Sequence, residues 1–308
     1  MLRKTISLAG AAVLAVALGS TVAPASAEVS ATAAAPCSLD LGSVTTAGAQ
    51  TTRTITATSP ATVGAVKTTP GVYQPGKVEH ITTFTSIPSG TGASRTGKAV
   101  IGGVLYTTSY GVLANGQVDP AHPVVQTRVG GGWTKHRWIE QSLYMSPDPL
   151  EPKRSSLYAQ DTTGLLARWT LDGTTWRNTG GIGGLTVAKS MTLISRDYYQ
   201  DTFVLNTRAG KLMTVAVPNV FPMQTYGTTL RNSTWQVFEQ LIATRCGPDG
   251  SLILGIDRDT NSAYLYQLNH VAYPGTSTVI KSLGKVPGTF TDPHYFRYAP
   301  KYDPLNGQ

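Results

Sequence analysis

From Ala61 onward the chain reads as short runs of alternating apolar and polar residues, broken about every ten positions by Gly, Pro, Asn or Asp. Threonine, valine and tyrosine are frequent in these runs, as half-buried strands prefer. Helical periodicity is scarce. The segment Trp235–Ile242 is the best apolar candidate for a helix, and its alternation fits a strand better. The pattern therefore predicts an all-β fold.

One unit recurs. Leu105-Tyr106-Thr107-Thr108-Ser109-Tyr110-Gly111-Val112-Leu113 is similar to the segments that begin at Leu157, Phe203 and Leu252, and a fainter copy spans Val63–Tyr73. Each unit reads as an apolar strand, a polar turn and a second strand. A single hairpin cannot bury its apolar face, so copies returning about every fifty residues must pack on one another, as propeller blades do. Trp133, Trp176 and Trp235 each follow a turn-rich stretch and stand ahead of the next hairpin, where a blade's preceding strand could begin. The expectation is a β-propeller of five blades, with six as the next count and a two-sheet β-sandwich as the rival architecture.

Ahead of this region, Arg3 and Lys4 precede the apolar run Ile6–Leu18 and the small-residue triplet Ala25-Ser26-Ala27. This is the plan of a secretory signal peptide, and the run is too short to span a bilayer. Residues 1–27 are thus expected to be removed, with no membrane span in the mature chain. Residues 28–60, rich in Ala, Ser and Thr, read as a loosely ordered lead-in contributing one strand near Thr51–Thr58, and residues 61–308 as the propeller domain. Export places Cys37 and Cys246 in an oxidising compartment, where a disulfide is the natural reading and two thiols the alternative.

Charge adds little to this picture. The formal net charge of +8 drops to about +6 without the leader, and Arg128, Lys135, Arg137, Arg168, Arg177 and Arg208 are scattered singly. A nucleic-acid binder needs a denser basic patch, so no nucleic-acid partner is expected.

The units Gly131-Gly132-Trp133 … Ser156-Leu157-Tyr158-Ala159 and Asp249-Gly250-Ser251-Leu252 resemble blade motifs of the tachylectin-2-like propellers, over roughly residues 100–270. The Asp-Gly turn of that family is absent before Leu157 and Phe203. The resemblance implies a five-bladed lectin that binds N-acetylated amino sugars, one site per blade.

No motif for catalysis emerges. Gly92–Lys98 fits the first positions of a P-loop, yet Ala99 stands where the hydroxyl is needed, so the segment reads as a flexible glycine loop. Asp257–Ser262 spaces oxygen ligands as a calcium loop does, but Ser262 replaces the required glycine, which leaves a hairpin turn. Thr170–Trp176 is similar to an Asp-box turn, which is structural. The carboxylates Asp148, Glu151, Asp197 and Asp201 lie on loops, and the five histidines are too dispersed for a metal motif. No catalytic residue, metal or cofactor is expected.

Sugars offer apolar C–H faces and polar edges, so their sites pair indole or phenol platforms with Asp, Asn or Arg. Trp133 and Trp138, with Asp161, Arg168, Trp169 and Trp176, are the candidate ligand-binding residues, in a groove between two blades. The expected protein is a secreted, non-catalytic, lectin-like propeller whose partner is a glycan or cell-wall polysaccharide. A structural or protein-interaction propeller and a polysaccharide hydrolase or lyase are the alternatives.

Overall fold

The computed structural model describes residues 36–145, 153–269, 278–303 and 305; the expected signal peptide lies outside them. Among the described residues the fold is all-β, with two single turns of 3₁₀ helix at Leu185–Val187 and Trp235–Val237.

β1 (Ser38–Val44) and β2 (Gln50–Thr56) form a hairpin, with β3 (Thr62–Val63) and β4 (Lys67–Thr69) along the far side of β2. β5 (Val78–Ile81) and β6 (Phe84–Ser89) lie end to end along β7 (Gly92–Ile101), followed by β8 (Val104–Val112) and β9 (Val125–Gly131). Three four-stranded antiparallel sheets come next, numbered third to fifth by strand group because the first two groups share one hydrogen-bonded sheet. The third sheet holds β10 (His136–Tyr144), β11 (Arg154–Asp161), β12 (Leu166–Asp172) and β13 (Thr175–Ile182). The fourth holds β14 (Ala188–Arg196), β15 (Gln200–Thr207), β16 (Leu212–Pro218) and β17 (Tyr226–Arg231). The fifth holds β18 (Gln240–Arg245), β19 (Ser251–Asp257), β20 (Ser262–Leu268) and β21 (Ile280–Val286). The last strand, β22 (His294–Ala299), returns to pair antiparallel with β1, Leu41 opposite Arg297. A short parallel pairing of β22 with β6 joins the first two strand groups into one hydrogen-bonded sheet.

The leading strands touch in turn: β5 with β10, β10 with β14, β14 with β18, β18 with β22, and β22 with β5. Five apolar clusters fill the seams between successive strand groups. One backbone hydrogen bond recurs at every seam. The N–H groups of Tyr73, Trp133, Leu185, Trp235 and Phe290 donate to the carbonyls of Gly48, Gly103, Gly164, Gly210 and Asn261, over 2.9 to 3.1 Å. Each acceptor sits in the hairpin between the second and third strands of one group, with φ between 52° and 93°. Each donor leads into the first strand of the next group and belongs to the apolar cluster of its seam. The left-handed conformation explains four glycines and an asparagine at these places.

Buried polar groups join the sheets as well. The Asp201 carboxylate accepts from Ser142 Oγ at 2.7 Å, Arg154 Nη2 at 2.8 Å and Tyr158 OH at 2.7 Å, tying the third sheet to the fourth. Cys37 and Cys246 form a disulfide, Cα–Cα 5.3 Å, across 209 positions of sequence.

Several expectations need correction. The two-sheet sandwich is not formed, because the strands group into four separately hydrogen-bonded sheets. The copies at Leu157, Phe203 and Leu252 fall on β11–β12, β15–β16 and β19–β20, but the Leu105 copy is one unbroken strand, β8. Its hairpin partner is β7, the segment read as a glycine loop. Gly97 is required there because a Cβ would stand 2.1 Å from the Phe84 ring, so the glycine marks close packing inside a strand. The faint copy at Val63–Tyr73 holds the end of β3, β4 and the seam anchor Tyr73 rather than a hairpin. Trp176 lies in the outermost strand β13; the seam position that it was expected to mark belongs to Leu185. Residues 38–56 are two strands: β2 falls near the expected Thr51–Thr58 strand, and β1, not expected, pairs with it, with Leu39, Leu41 and Ile55 fully buried among small polar neighbours. Trp235–Ile242 divides into a 3₁₀ turn and the start of β18.

The seam bond can be tested against a control. At Gly164 (φ +85°) an added Cβ would lie 2.3 Å from the Thr186 nitrogen, whereas at Gly173 (φ +58°) nothing stands within 4 Å. Gly164→Ala is expected to lower stability to chemical denaturation by about 2 kcal/mol more than Gly173→Ala, which suffers only the backbone strain.

Candidate functional site

The groove at the seam between the second and third strand groups encloses about 410 Å³. Its walls are the end of β9 with the following turn, Val129–Trp133, and the faces of β11, β12 and β13 that carry Leu157, Ala167, Trp169, Trp176 and Asn178. Strand alternation puts Ala167 and Trp169 on one side of β12, and Trp169 stands opposite Leu157 on β11 and Asn178 on β13. Trp133 is fixed by its seam bond to Gly103. Its ring centroid lies 5.2 Å from that of Trp169 and 4.8 Å from that of His136. Three indoles and an imidazole thus line one recess.

The glycine run shapes the opposite wall. Gly132 has φ +86° and needs to be glycine, but Gly130 has no such constraint, and nothing lies within 4 Å of a Cβ added there. Its missing side chain leaves open space.

Asp161 lies at the end of the groove. Its Oδ1 accepts from Thr163 N at 2.9 Å, Thr163 Oγ1 at 2.7 Å and Leu165 N at 3.0 Å, closing the β11–β12 hairpin. The Thr163 hydroxyl, then the backbone donors, hold the carboxyl below the usual aspartate range. Oδ2 lies 4.0 Å from Lys135 Nζ.

His136 is the unusual member. It is buried, its Nδ1 has no hydrogen-bond partner, and burial lowers its pKa, which favours the neutral ring. Its backbone N–H bonds to the Trp133 carbonyl, as Phe238 bonds to Trp235 in the fifth sheet. There Tyr266 stands opposite Ile253 and packs 4.6 Å from Trp235, as Trp169 stands opposite Leu157 and packs on Trp133. The same three-ring stack thus occurs twice, and the groove copy substitutes imidazole for phenyl.

Trp133, Asp161, Trp169 and Trp176, all expected from the sequence, line this recess together. Trp138 and Arg168 do not. A β-bulge at Arg137 interrupts the alternation of β10, so His136 faces the groove while Trp138 turns to the other side and packs edge-on against Phe203, 5.7 Å between centroids. Arg168 alternates with Trp169, and its guanidinium donates to Pro218 O at 2.9 Å, Val220 O at 3.0 Å and Thr179 Oγ1 at 3.3 Å. It ties the third sheet to the fourth. The sequence reading missed His136 and Asn178; the one signal for this wall was the three glycines before Trp133.

Behind Trp176 lies Lys98, only 7% exposed. Its Nζ donates to Gln141 Oε1 at 3.0 Å, stands 5.0 Å from the Trp176 ring centroid, and has no carboxylate within ion-pair distance among the described residues.

A second cavity of about 250 Å³ lies among the leading strands, lined by Glu79, His80, Glu140, Lys189, Glu239 and His294 among others. Its acids are engaged. Glu140 accepts from Thr83 N at 3.0 Å, Thr83 Oγ1 at 3.2 Å and Gln141 N at 2.8 Å, bridging the break between β5 and β6, and burial raises its pKa. Glu79 accepts from Gly103 N at 3.0 Å. Glu239 pairs with Lys189 at 2.5 Å and accepts from Arg258 N at 2.8 Å. Asp197 caps its own turn, through Tyr199 N at 2.7 Å and Gln200 N at 2.8 Å, while Asp148 and Glu151 lie outside the described residues. Among the described residues no three His, Cys, Asp or Glu side chains gather to hold a metal. Asp257–Ser262 is the β19–β20 turn, closed by Thr260 N on Asp257 Oδ1 at 3.1 Å.

Fold and site together define an all-β chain of successive antiparallel sheets with an aromatic groove at one seam. No protein-family model matches it, and no curated protein is detectably similar in sequence. Similar solved structures include the Aleuria aurantia fungal lectin, described as a six-bladed β-propeller with fucose recognition (10% identity, 82% of this chain and 83% of the lectin covered, TM-score 0.45). The SapL1 lectin, solved with α-methyl fucoside, has 9% identity, 79% coverage of each chain and a TM-score of 0.44. The Podospora anserina α-L-arabinofuranosidase, solved with cellotriose, has 12% identity, covers 70% and 72%, and has a TM-score of 0.44.

Burial pulls the Lys98 ammonium from the ordinary 10.5 down to about 8. Between those values the unfolded chain holds a proton that the folded chain has shed, so stability rises with pH until tyrosines begin to ionise in the unfolded chain near 10. Urea titrations are expected to show a gain of about 2 kcal/mol from about pH 7.5 to about pH 9.5. Lys98→Met should abolish the gain.

Proposed function

We propose that this chain is a secreted, non-catalytic, five-bladed β-propeller that binds glycans in the groove between its second and third blades. The strand groups act as blades, closed by β22 beside β1, and the five-fold recurrence of the seam bond favours five blades over six. Export is read from the leader-like N-terminus and agrees with the disulfide. The observation that carries the function is the recess of Trp133, Trp169 and Trp176 with polar atoms at its edge. Indole faces match the C–H face of a pyranose, while Asn178, Asp161 and Lys135 supply directional contacts for its hydroxyls. The kinship with tachylectin-2-like lectins belongs to this proposal.

A hydrolase fits less well. Glu79, Glu140, Glu239 and Asp201 each have structural partners, and general acid–base work needs a carboxyl able to exchange a proton with substrate. A protein-interaction role has one observation in its favour. Tyr199, Phe221 and Tyr226 are 75%, 85% and 60% exposed on the turns at one end of the fourth sheet, where Asn219 N donates to Tyr199 O at 2.6 Å.

The test is a glycan array together with retention on chitin and cell-wall polymers. Binding is expected for the unaltered protein, reduced at least tenfold by Trp176→Ala and by Gly130→Leu, which fills the groove without meeting a neighbour at its Cβ. Retention of no glycan would sink the proposal. Release of reducing ends from a retained polysaccharide would replace it with the hydrolase reading.

A further inference from the structure

The groove's charge is lopsided, and we infer from it that the ligand is an acidic glycan, carrying carboxylate or sulfate groups. This rests on the glycan reading above and narrows it. Two cations stand at the recess. Lys135 lines it with its side chain 62% exposed. Lys98 stands behind Trp176, buried and without a carboxylate partner.

Against them stands one acid. Asp161 is the single carboxylate lining the recess among the described residues; its Oδ1 is saturated by three donors of its own turn, and only Oδ2 faces Lys135, at the long distance of 4.0 Å. The site therefore offers more positive charge than its own acid balances. A neutral sugar needs no such surplus, since hydroxyls are satisfied by amides, imidazoles and carboxylates. A carboxylate or sulfate on the sugar would take a charge-assisted hydrogen bond from Lys135 at the mouth. The field of Lys98 reaches it through the indole, in a region that water screens poorly.

Matched pairs test this. The probes are oligogalacturonate against its methyl ester, and sulfated galactan oligomers against their desulfated form, with binding read by quenching of tryptophan fluorescence. In at least one pair the acidic member should bind ten times more tightly than its neutral twin, and the gap should narrow as salt rises from 0.05 to about 0.5 M. Lys135→Gln should bring the ratio towards one, while Arg128→Gln, on the other face of β9, should leave it unchanged. The pair that responds distinguishes carboxylate from sulfate. Equal affinity within both pairs overturns the inference and leaves the glycan reading intact, as does failure of all four probes while a neutral glycan is retained on the array. If no glycan of any kind binds, both readings fall.

Discussion

The constraint on which this structure depends is that no four-stranded sheet here can bury both its faces alone. Each apolar side must find the next sheet, and the meeting is held by one backbone hydrogen bond into a left-handed hairpin residue. A single such bond contributes about 1 kcal/mol net, less than the burial of the side chain it introduces, for which about 1.5–3 kcal/mol is usual. Its value is positional. It sets where the chain leaves one strand group and enters the next, so Tyr73, Trp133, Leu185, Trp235 and Phe290 arrive at equivalent points in five different seams.

Function can then be placed by small departures from a repeated scaffold. The stack of Trp235, Phe238 and Tyr266 is an apolar seam, well packed and chemically silent. The stack of Trp133, His136 and Trp169 has the same backbone logic, but a neighbouring glycine run withholds side chains, and an imidazole brings an unpartnered nitrogen. An unsatisfied buried polar atom costs about 1–3 kcal/mol. A seam selected only for stability would keep phenylalanine there, as the fifth sheet does.

The strand character, the fifty-residue recurrence and the cysteine pair were legible in the sequence, because alternation and turn residues are local signals. Four of the six candidate residues lie together in one recess, since indoles clustered near an Asp turn share one face when alternation is regular. Trp138 and Arg168 escaped for two distinct reasons. The bulge at Arg137 shifts the alternation by one, and no local pattern announces a bulge. Arg168 shows only its type, and whether a guanidinium faces solvent or the carbonyls of a neighbouring sheet is decided by residues fifty positions away. The seam position of the fourth sheet was hidden because Leu185 does there what tryptophan does at two other seams. The first strand was hidden because Leu39 and Leu41 are few apolar residues in a Ser/Thr-rich stretch whose remaining burial comes from the chain's other end.

The polar interior bears on the choice between binding and catalysis. Asp201 with Arg154 and Tyr158, Asp303 with Arg196 and Arg297, and Glu140 across the broken first strand of its neighbour are buried charges with geometry fixed by several partners. Removing one partner from such a group leaves an uncompensated charge, so these residues are held to their structural bonds by a penalty larger than any single contact. A carboxyl in that position is poorly suited to shuttle protons, because each change of charge would break the tie between sheets. The groove's groups differ in kind. They are neutral rings, an amide and a rim lysine, and under the glycan proposal their bonds with ligand would form and break while the seam beneath stays closed.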